Sequence, residues 1–195
     1  KNVEGAVEAE FYQSNKGFVY SEGWCATVLE RQDSAEKRGA NIYGEVTRIE
    51  AVFDIETKPS YKQYTDISYQ VLTSFYQTFF ENSNLKGKGF FLGISNGTGI
   101  DEKEIGVFQD VITRQGDIIF SNIKKYTGET FSSSALFGLA VAVQSLQHSV
   151  LPGIGQSIAG VKAIAVKNIT QDFNYGIVGS YLPNGLISAY LVEKF

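Results

Sequence analysis

The sequence predicts an α/β fold: a mixed β-sheet with a buried central helix and further helices that cover the sheet. Three observations indicate this fold. Apolar runs typical of strands alternate with helical patterns over most of the chain. Residues 133–149 are apolar on almost every side, as in a helix buried between layers. Near the C-terminal end, two apolar runs flank Pro183-Asn184-Gly185, a hairpin-type turn.

The central helix follows a short apolar strand, 117–120, and a polar turn, 121–129. Its apolar side chains leave no wide polar face, and we expect it to be buried on every side. They are Ala135, Leu136, Phe137, Leu139, Ala140, Val141, Ala142, Val143 and Leu146. Gln144 and Gln147 argue against a membrane span. Backbone N–H groups are free before a helix N-terminus, so the polar turn is the predicted place for a ligand or a reacting group.

The other elements follow from periodicity and from turn residues. On the N-terminal side we predict a buried strand at 24–29, a short charged helix at 31–38, a half-exposed strand at 42–53, a loop at 55–60 and an amphipathic helix at 61–80. A turn at 86–89, a buried strand at 90–94, a loop at 95–99 and a helix at 101–112 come next. On the C-terminal side we predict strands at 161–166, 176–182 and 186–192.

Composition limits the possible functions. The 195 residues suffice for one domain with a sizeable core. A net charge of −4 argues against non-specific binding to nucleic acid, which needs a basic surface. A single Cys excludes an internal disulfide and a C-x-x-C metal site. We see no signal peptide and no transmembrane run, so we expect a cytoplasmic protein without membrane contact.

Four stretches, in order, are similar to a known family. Residues 17–23, GFVYSEG, lead to VLE at 28–30 and to AEKRGANIYGEV at 35–46; NGTG stands at 96–99; SNIKKYTGETFSSSALFG covers 121–138; and QSLQHSVLP covers 144–152. Together they resemble the C-terminal half of a β-ketoacyl-acyl carrier protein synthase, a ketosynthase of the thiolase-like fold. The resemblance covers nearly the whole chain, so we expect residues 1–195 to form one thiolase-like domain.

The resemblance also implies where site residues lie. Active members carry a Cys nucleophile in their N-terminal half, two His and a Lys. Asn96 matches the first His, Glu129 matches the second, and Lys124 matches the Lys, five positions before Glu129. The half that carries the nucleophile has no match in this chain.

Three further residues are implied to contact the substrate. Thr98 and Thr127 lie in the same matched stretches. Pro183 falls where the family has the gating Phe of a glycine-rich loop near the C-terminus. The loop after Gly99 is also shorter than in the family.

These departures bear on the family's reaction, a decarboxylative Claisen condensation. The two His donate hydrogen bonds that stabilise an enolate and a thioester oxyanion. The amide of Asn96 can still donate, whereas an ionised Glu129 only accepts and would repel the developing negative charge. We therefore expect that this chain does not condense acyl groups by itself.

Simpler interpretations stand beside these. Cys25 is predicted to be a core packing residue of the strand at 24–29. His148 has a surface or capping role at the end of the long helix. Lys124 could belong to a solvated turn, and Asn96, followed by Gly, could be a turn residue. Glu129 could cap the start of the helix.

Three functions are open. The first is a ketosynthase-like protein without catalysis, a partner subunit of an active ketosynthase in fatty acid or polyketide biosynthesis, in the manner of chain-length factors. The second is the C-terminal part of an active synthase whose Cys-bearing half lies elsewhere. The third is a module that binds an acyl chain or an acyl carrier protein; the acidic balance disfavours it, because carrier proteins are usually acidic. No cofactor and no metal are expected.

The partners follow from the resembled fold, in which two halves pack helix against helix between two sheets. A chain that supplies one half would expose apolar surface, which monomers rarely tolerate. We therefore expect an obligate dimer with itself or with a ketosynthase subunit, and an acyl carrier protein as a further partner.

Overall fold

A computed structural model describes residues 20–54, 67–81, 83–182 and 185–195. The helices are α1 (Gln32–Lys37), α2 (Tyr69–Glu81), α3 (Ile100–Asp110), α4 (Lys124–Thr127) and α5 (Ser134–His148). The strands are β1 (Glu45–Phe53), β2 (Lys88–Leu92), β3 (Asp117–Ser121), β4 (Val150–Leu151), β5 (Ile169–Thr170), β6 (Tyr175–Tyr181) and β7 (Leu186–Glu193). Single 3₁₀ turns follow α3 (Ile112–Gln115) and precede α5 (Phe131–Ser133).

The main sheet has five strands in the order β1-β7-β6-β2-β3. β2 is parallel to both β3 and β6, whereas β7 is antiparallel to β6 and to β1. The predicted mixed sheet is therefore confirmed, and so is the terminal hairpin of β6 and β7. β4 and β5 form a separate antiparallel pair.

Side chains that alternate along β2 divide the core between the two faces of the sheet. Phe91 points to the face covered by α2 and α3, where the larger apolar cluster includes Phe79 and Phe108. Phe90 and Leu92 point to the opposite face, where they pack with side chains of α5. The sheet thus lies between a two-helix layer and the single helix α5.

Helix α5 approaches the sheet closely because a glycine faces β6. A Cβ atom at Gly138 would lie only 2.6 Å from Cγ1 of Val178. Leu139, Ala142 and Leu146 complete the buried side of the helix.

The prediction that α5 is buried on every side is wrong for this chain by itself. Its outward side carries apolar side chains that are only partly buried: Leu136, Phe137, Ala140, Val141 and Val143. Of these, Phe137, Val141 and Val143 also pack against the cluster that α5 shares with the sheet. We call these five residues the α5 outer face. The helix is apolar on almost every side, as the sequence indicates, but among the described residues only the side that faces the sheet is packed against another layer.

Residues 24–29 do not form the predicted buried strand. The segment has no regular secondary structure, and Trp24 and Val28 are 84% and 88% exposed. Cys25 is partly exposed and is not the core residue that was predicted.

The strand predicted at 161–166 is also wrong, because only one bridge, between Ile164 and Phe120, forms there. The segment 161–166 is instead a loop that packs against β3. The N–H of Phe120 donates to the carbonyl of Ala163 at 2.9 Å, and the N–H of Ala165 donates to the carbonyl of Phe120 at 2.8 Å.

The remaining elements match the predictions with shifted ends. The charged helix at 31–38 is α1, the strand at 42–53 is β1, and the helix at 101–112 is α3. The predicted turn at 86–89 overlaps the start of β2, and the polar turn at 121–129 contains α4. Of the helix predicted at 61–80, the part from Tyr69 is helical, and 61–66 and the loop 55–60 lie outside the described residues. In the part of the chain that is described, no helix has the length and apolarity needed to cross a bilayer.

Candidate functional site

The three predicted catalytic positions meet at one edge of the sheet. β2 and β3 are parallel, so their carboxyl ends, Leu92 and Ser121, lie side by side. The chain leaves these ends through the largely buried loop 93–99, which carries Asn96, and through the segment 122–130, which contains α4 and carries the buried Lys124 and Glu129. Sites in α/β folds commonly form at this edge.

Lys124 and Glu129 form a buried ion pair. Nζ of Lys124 lies 2.8 Å from Oε2 of Glu129 and donates a second hydrogen bond, 2.9 Å long, to the carbonyl of Ile94. The lysine side chain is 9% exposed and the glutamate side chain 4%. A charge this deep in the protein is tolerated only with a charged partner and hydrogen bonds.

Asn96 donates to the same carboxylate oxygen. Its Nδ2 lies 3.2 Å from Oε2 of Glu129, and its Oδ1 accepts a bond of 2.7 Å from the hydroxyl of Thr98. The backbone N–H groups of Asn96 and Gly97 donate to the Asp101 carboxylate at 2.9 and 3.0 Å. Thr98 therefore orients Asn96, while Asp101, in the first turn of α3, holds the loop.

The other oxygen of Glu129 is bound at the start of α5. Oε1 accepts from the backbone N–H of Phe131 at 2.9 Å and from the hydroxyl of Ser134 at 2.7 Å. We call Asn96, Lys124 and Glu129 the cluster. Glu129 belongs to the cluster through Oε2 and caps the start of α5 through Oε1, so both interpretations of Glu129 hold.

Glu129 is ionised in this cluster. Burial raises the pKa of its carboxyl, but the charge of Lys124 and hydrogen bonds from Lys124, Ser134 and Asn96 outweigh burial and lower the pKa below its ordinary value of 4.5. At neutral pH Glu129 therefore accepts from both neighbours and donates to nothing.

The structure does not bring Thr127 or His148 into hydrogen-bond contact with Asn96, Lys124 or Glu129. The hydroxyl of Thr127 donates within its own helical turn, to the carbonyls of Ile123 and Gly128. It makes no hydrogen bond to the cluster within the described ranges. Pro183 lies outside the described residues. His148 is exposed, 3.1 Å from the side chain of Gln144, which agrees with its predicted surface role. Among the described residues, no three His, Cys, Asp or Glu side chains are grouped as metal ligands would be.

Glu104 is a buried acid that the sequence did not single out. Its carboxylate accepts hydrogen bonds from the backbone N–H groups of Ile94 and Ser95 and from the hydroxyl of Ser95. It thereby ties α3 to the loop that begins at the end of β2. Glu104 lies one turn after Asp101, on the helix side that also carries the buried Ile100 and Ile105. Two acids, Asp101 and Glu104, on a helix side that also carries apolar residues were the available signal.

Burial raises the pKa of Glu104 to about 7, and the charge of Asp101 makes a smaller contribution in the same direction. The hydrogen bonds from Ile94 and Ser95 lower the pKa, but by less than burial raises it. The folded chain therefore holds a proton between pH 4.5 and about 7 that the unfolded chain has released. Consequently, the free energy of unfolding should fall as the pH rises through this window. Relative to Glu104→Gln, we expect wild type to lose about 3 kcal/mol between pH 4.5 and about 8.

Urea denaturation at several pH values tests this expectation. Glu102→Gln is the matched control, because Glu102 is exposed on the same helix and its replacement should leave the pH profile of wild type unchanged. Parallel profiles for wild type and Glu104→Gln would contradict the expected titration of Glu104.

Little space is left beside the cluster. The cavity lined by Lys124, Gly93, Ser134 and Gly138 has a volume of about 10 Å³, which is no more than a single water requires. A larger groove of about 500 Å³ lies between β1 and α2 and is lined by none of the cluster residues. This cavity beside Lys124 is too small for an acyl substrate.

No family model matches the chain, and no curated protein matches it in sequence. Solved structures do match its fold. The ishigamide ketosynthase/chain length factor superimposes with a TM-score of 0.79 at 17% identity, over 99% of this chain and 48% of that chain. Ketosynthase twelve of the bacillaene polyketide synthase in Bacillus amyloliquefaciens gives a TM-score of 0.70 at 20% identity, over 84% of this chain and 32% of its own.

A third match is a type II polyketide synthase acyl carrier protein in complex with its ketosynthase, with a TM-score of 0.68 at 13% identity, over 85% of this chain and 42% of that one. The predicted thiolase-like α/β fold and the resemblance to ketosynthases are confirmed at the level of the fold. The chain spans about a third to a half of the length of these three structures.

Proposed function

We propose that this chain, with its ketosynthase-like fold, is a non-catalytic partner subunit of a ketosynthase in cytoplasmic fatty acid or polyketide biosynthesis, in the manner of a chain-length factor. One observation carries the proposal. The two hydrogen-bond donors at the family's site positions, Nζ of Lys124 and Nδ2 of Asn96, both point at Oε2 of Glu129.

The condensation chemistry explains why this observation matters. A ketosynthase needs donors aimed at oxygen atoms that become negative during the reaction. Here an internal carboxylate already occupies those donors, and its own charge would repel an enolate. Removing one such donor typically slows a reaction by about 100- to 1000-fold. The positions matched so far also include no nucleophilic Cys.

The partner role is supported by the α5 outer face. Five apolar residues on the outward side of α5 remain partly exposed, and exposed apolar patches of this kind mark interaction sites. The fold of the ishigamide ketosynthase/chain length factor matches this chain over 48% of its own length, so a comparable mass of polypeptide would complete a ketosynthase-like unit. An acyl carrier protein is a further partner of this assembly, as in the solved carrier protein–ketosynthase complex.

A second candidate is the C-terminal part of a working synthase. It is favoured by the convergence of Lys124, Asn96 and Glu129, which places all three matched positions in one cluster. In that case the cluster would rearrange when the Cys-bearing half docks.

The test is co-expression with the ketosynthase of the same host, followed by sedimentation and a condensation assay with malonyl and acyl thioesters. We expect the chain alone to be inactive and the pair to sediment as one complex. A well-folded monomer at low micromolar concentration, beside every ketosynthase of the host, would refute the partner role.

Asn96→Ala separates the two candidates within the complex. A non-catalytic partner should leave the condensation rate nearly unchanged, whereas the second candidate requires a loss of about 100-fold or more. Thr113→Ala, a change at a partly buried residue after α3 and outside the cluster, is the control for handling and folding.

A further inference from the structure

We infer that Lys124 and Asn96 join in an isopeptide bond that the cluster forms by itself: the ε-amine of Lys124 displaces ammonia from the side-chain amide of Asn96, with Glu129 as the proton carrier. The product is a covalent cross-link between the loop after β2 and helix α4. This inference goes beyond the proposed function, because it concerns a reaction of the free chain and needs no partner.

The three side chains that such a reaction requires are in contact. Nζ of Lys124, the nucleophile, lies 2.8 Å from Oε2 of Glu129. Nδ2 of Asn96, the leaving group, lies 3.2 Å from the same oxygen. One carboxylate oxygen therefore bonds both to the nitrogen that must lose protons and to the nitrogen that must gain them, as general acid–base catalysis requires.

The carbonyl group of the Asn96 side chain is also held in a way that favours attack. Its Oδ1 accepts a hydrogen bond of 2.7 Å from the hydroxyl of Thr98. Addition of an amine to Cγ would place negative charge on Oδ1, and a donor aimed at that oxygen stabilises the charge. Thr98 thus assists the reaction in addition to orienting the amide.

The two segments that carry the reacting groups are tied to each other. Oδ1 of Asn122 accepts from the backbone N–H of Lys124 at 2.7 Å, and Nδ2 of Asn122 donates to the carbonyl of Ser95 at 2.9 Å. Nζ of Lys124 also donates to the carbonyl of Ile94 at 2.9 Å. Contacts that hold an amine beside an amide raise the effective concentration of the two groups and so speed their reaction.

Burial favours the reaction as well. Asn96, Lys124 and Glu129 are all buried, so the ion pair is poorly hydrated. Transfer of a proton from the ammonium to the carboxylate, which yields a neutral amine, therefore costs less here than it does in water. The adjoining cavity of about 10 Å³ has room for one water at most, and this limits competing hydrolysis.

The reaction balances without any other reagent. A bond forms between Nζ of Lys124 and Cγ of Asn96, and the bond between Cγ and Nδ2 of Asn96 breaks. Two of the three protons of the ammonium group pass through Oε2 of Glu129 to Nδ2, which leaves as an ammonium ion, and Glu129 is again a carboxylate. Nothing is oxidised or reduced. The chain loses the mass of one ammonia, about 17 Da, and unreacted chain, which keeps the ion pair, is recognised by its full mass.

The intact mass of the whole folded chain tests the inference. The chain is measured as purified and then during several days at neutral pH. We expect a loss of about 17 Da, the release of an equimolar amount of ammonia and, after proteolysis, a branched peptide in which Asn96 and Lys124 are joined. A folded chain that keeps its full mass overturns the inference.

Three variants assign the roles. Lys124→Arg keeps the cation but removes the nucleophile, and it should show no loss of mass. Glu129→Ala removes the proton carrier and should slow the loss by about 100-fold or more. Lys125→Arg is the matched control, because Nζ of Lys125 lies beside Gly155 and outside the cluster, so this variant should react as wild type does. A loss as fast in Glu129→Ala as in wild type overturns the role of Glu129, and the wild-type measurement decides on the bond if a variant does not fold.

A succinimide at Asn96 is the other route to the same loss of mass, because Asn96 precedes Gly97. It forms when the backbone nitrogen of Gly97 attacks the Asn96 side chain, and the hydrogen bond of 3.0 Å from that N–H to Asp101 opposes it. A succinimide needs a mobile backbone and no lysine, so it should form faster in urea and persist in Lys124→Arg. The isopeptide bond needs the folded cluster and should not form in urea. A loss of mass without the branched peptide, or one that persists in Lys124→Arg, overturns the inference.

Discussion

Glu129→Gln is expected to lower the free energy of unfolding by about 3–5 kcal/mol, because it leaves the buried ammonium of Lys124 without a charged partner. The ammonium keeps only the carbonyl of Ile94, 2.9 Å away, and a Gln amide nitrogen could face it in place of an oxygen. Urea denaturation at neutral pH measures the loss.

The double variant Lys124→Met with Glu129→Gln isolates the interaction of the pair. Because it removes both charges, it should lose clearly less stability than the sum of the two single variants. Lys194→Met is the matched surface control, since Lys194 pairs with Asp172 at 2.6 Å in water-exposed surroundings and its removal should change stability little. Equal effects of Glu129→Gln and Lys194→Met would contradict the assignment of a buried ion pair.

The Lys124–Glu129 ion pair also predicts that the free energy of unfolding depends on pH. The pKa of Glu129 is lowered on folding, so its contribution to stability is present above the unfolded value of 4.5 and is lost as the pH falls through the lowered folded value. The gap in stability between wild type and Glu129→Gln should therefore narrow in acid. A gap that stays constant down to about pH 2 would contradict this linkage.

Phe91→Ala should also cost about 3–5 kcal/mol, because it removes the ring at the centre of the larger apolar cluster. Phe91 is fully buried, and its ring centroid lies 5.4 Å from that of Tyr76, 5.8 Å from Phe120 and 6.2 Å from Phe108. These rings belong to α2, β3 and α3, so one substitution loosens three elements around β2.

Phe53→Ala is the control for this core substitution. Phe53 is 52% exposed at the end of β1, and its removal should change stability by only about 0.5 kcal/mol. Thermal or urea unfolding of the two variants measures the contrast, and a Phe91→Ala loss below about 1 kcal/mol would mean that the cluster repacks around the cavity.

Periodicity and turn residues predicted most of the sheet and its helices, because those elements bury their apolar sides within this chain. β2, β3, β6, β7 and α3 all appear close to their predicted places. Resemblance to a family, rather than local pattern, singled out Asn96, Lys124 and Glu129. The structure then brings them together because parallel neighbouring strands end at the same edge.

Two errors share one physical cause. Residues 24–29 and the α5 outer face have the apolar composition of buried structure, yet the first segment is mostly exposed and the second is only partly buried. Sequence shows that a segment tends to be buried, but it does not show which polypeptide buries it. Glu104 was missed for a different reason: an acid in the early turns of a helix is usually accounted for by the helix dipole, whereas this one bonds to the loop after β2.

The placement of β7 has a consequence for how the chain folds during synthesis. β7 is made after all the other strands, yet it lies between β1 and β6, and its residue Glu193 pairs with Glu45. On the ribosome, β1 thus waits for its neighbour until residue 193 has emerged, at translation rates of about 5–20 residues per second. During that delay of about 7–30 seconds β1 lacks this neighbour, and a chaperone that shields it would raise the yield of folded protein.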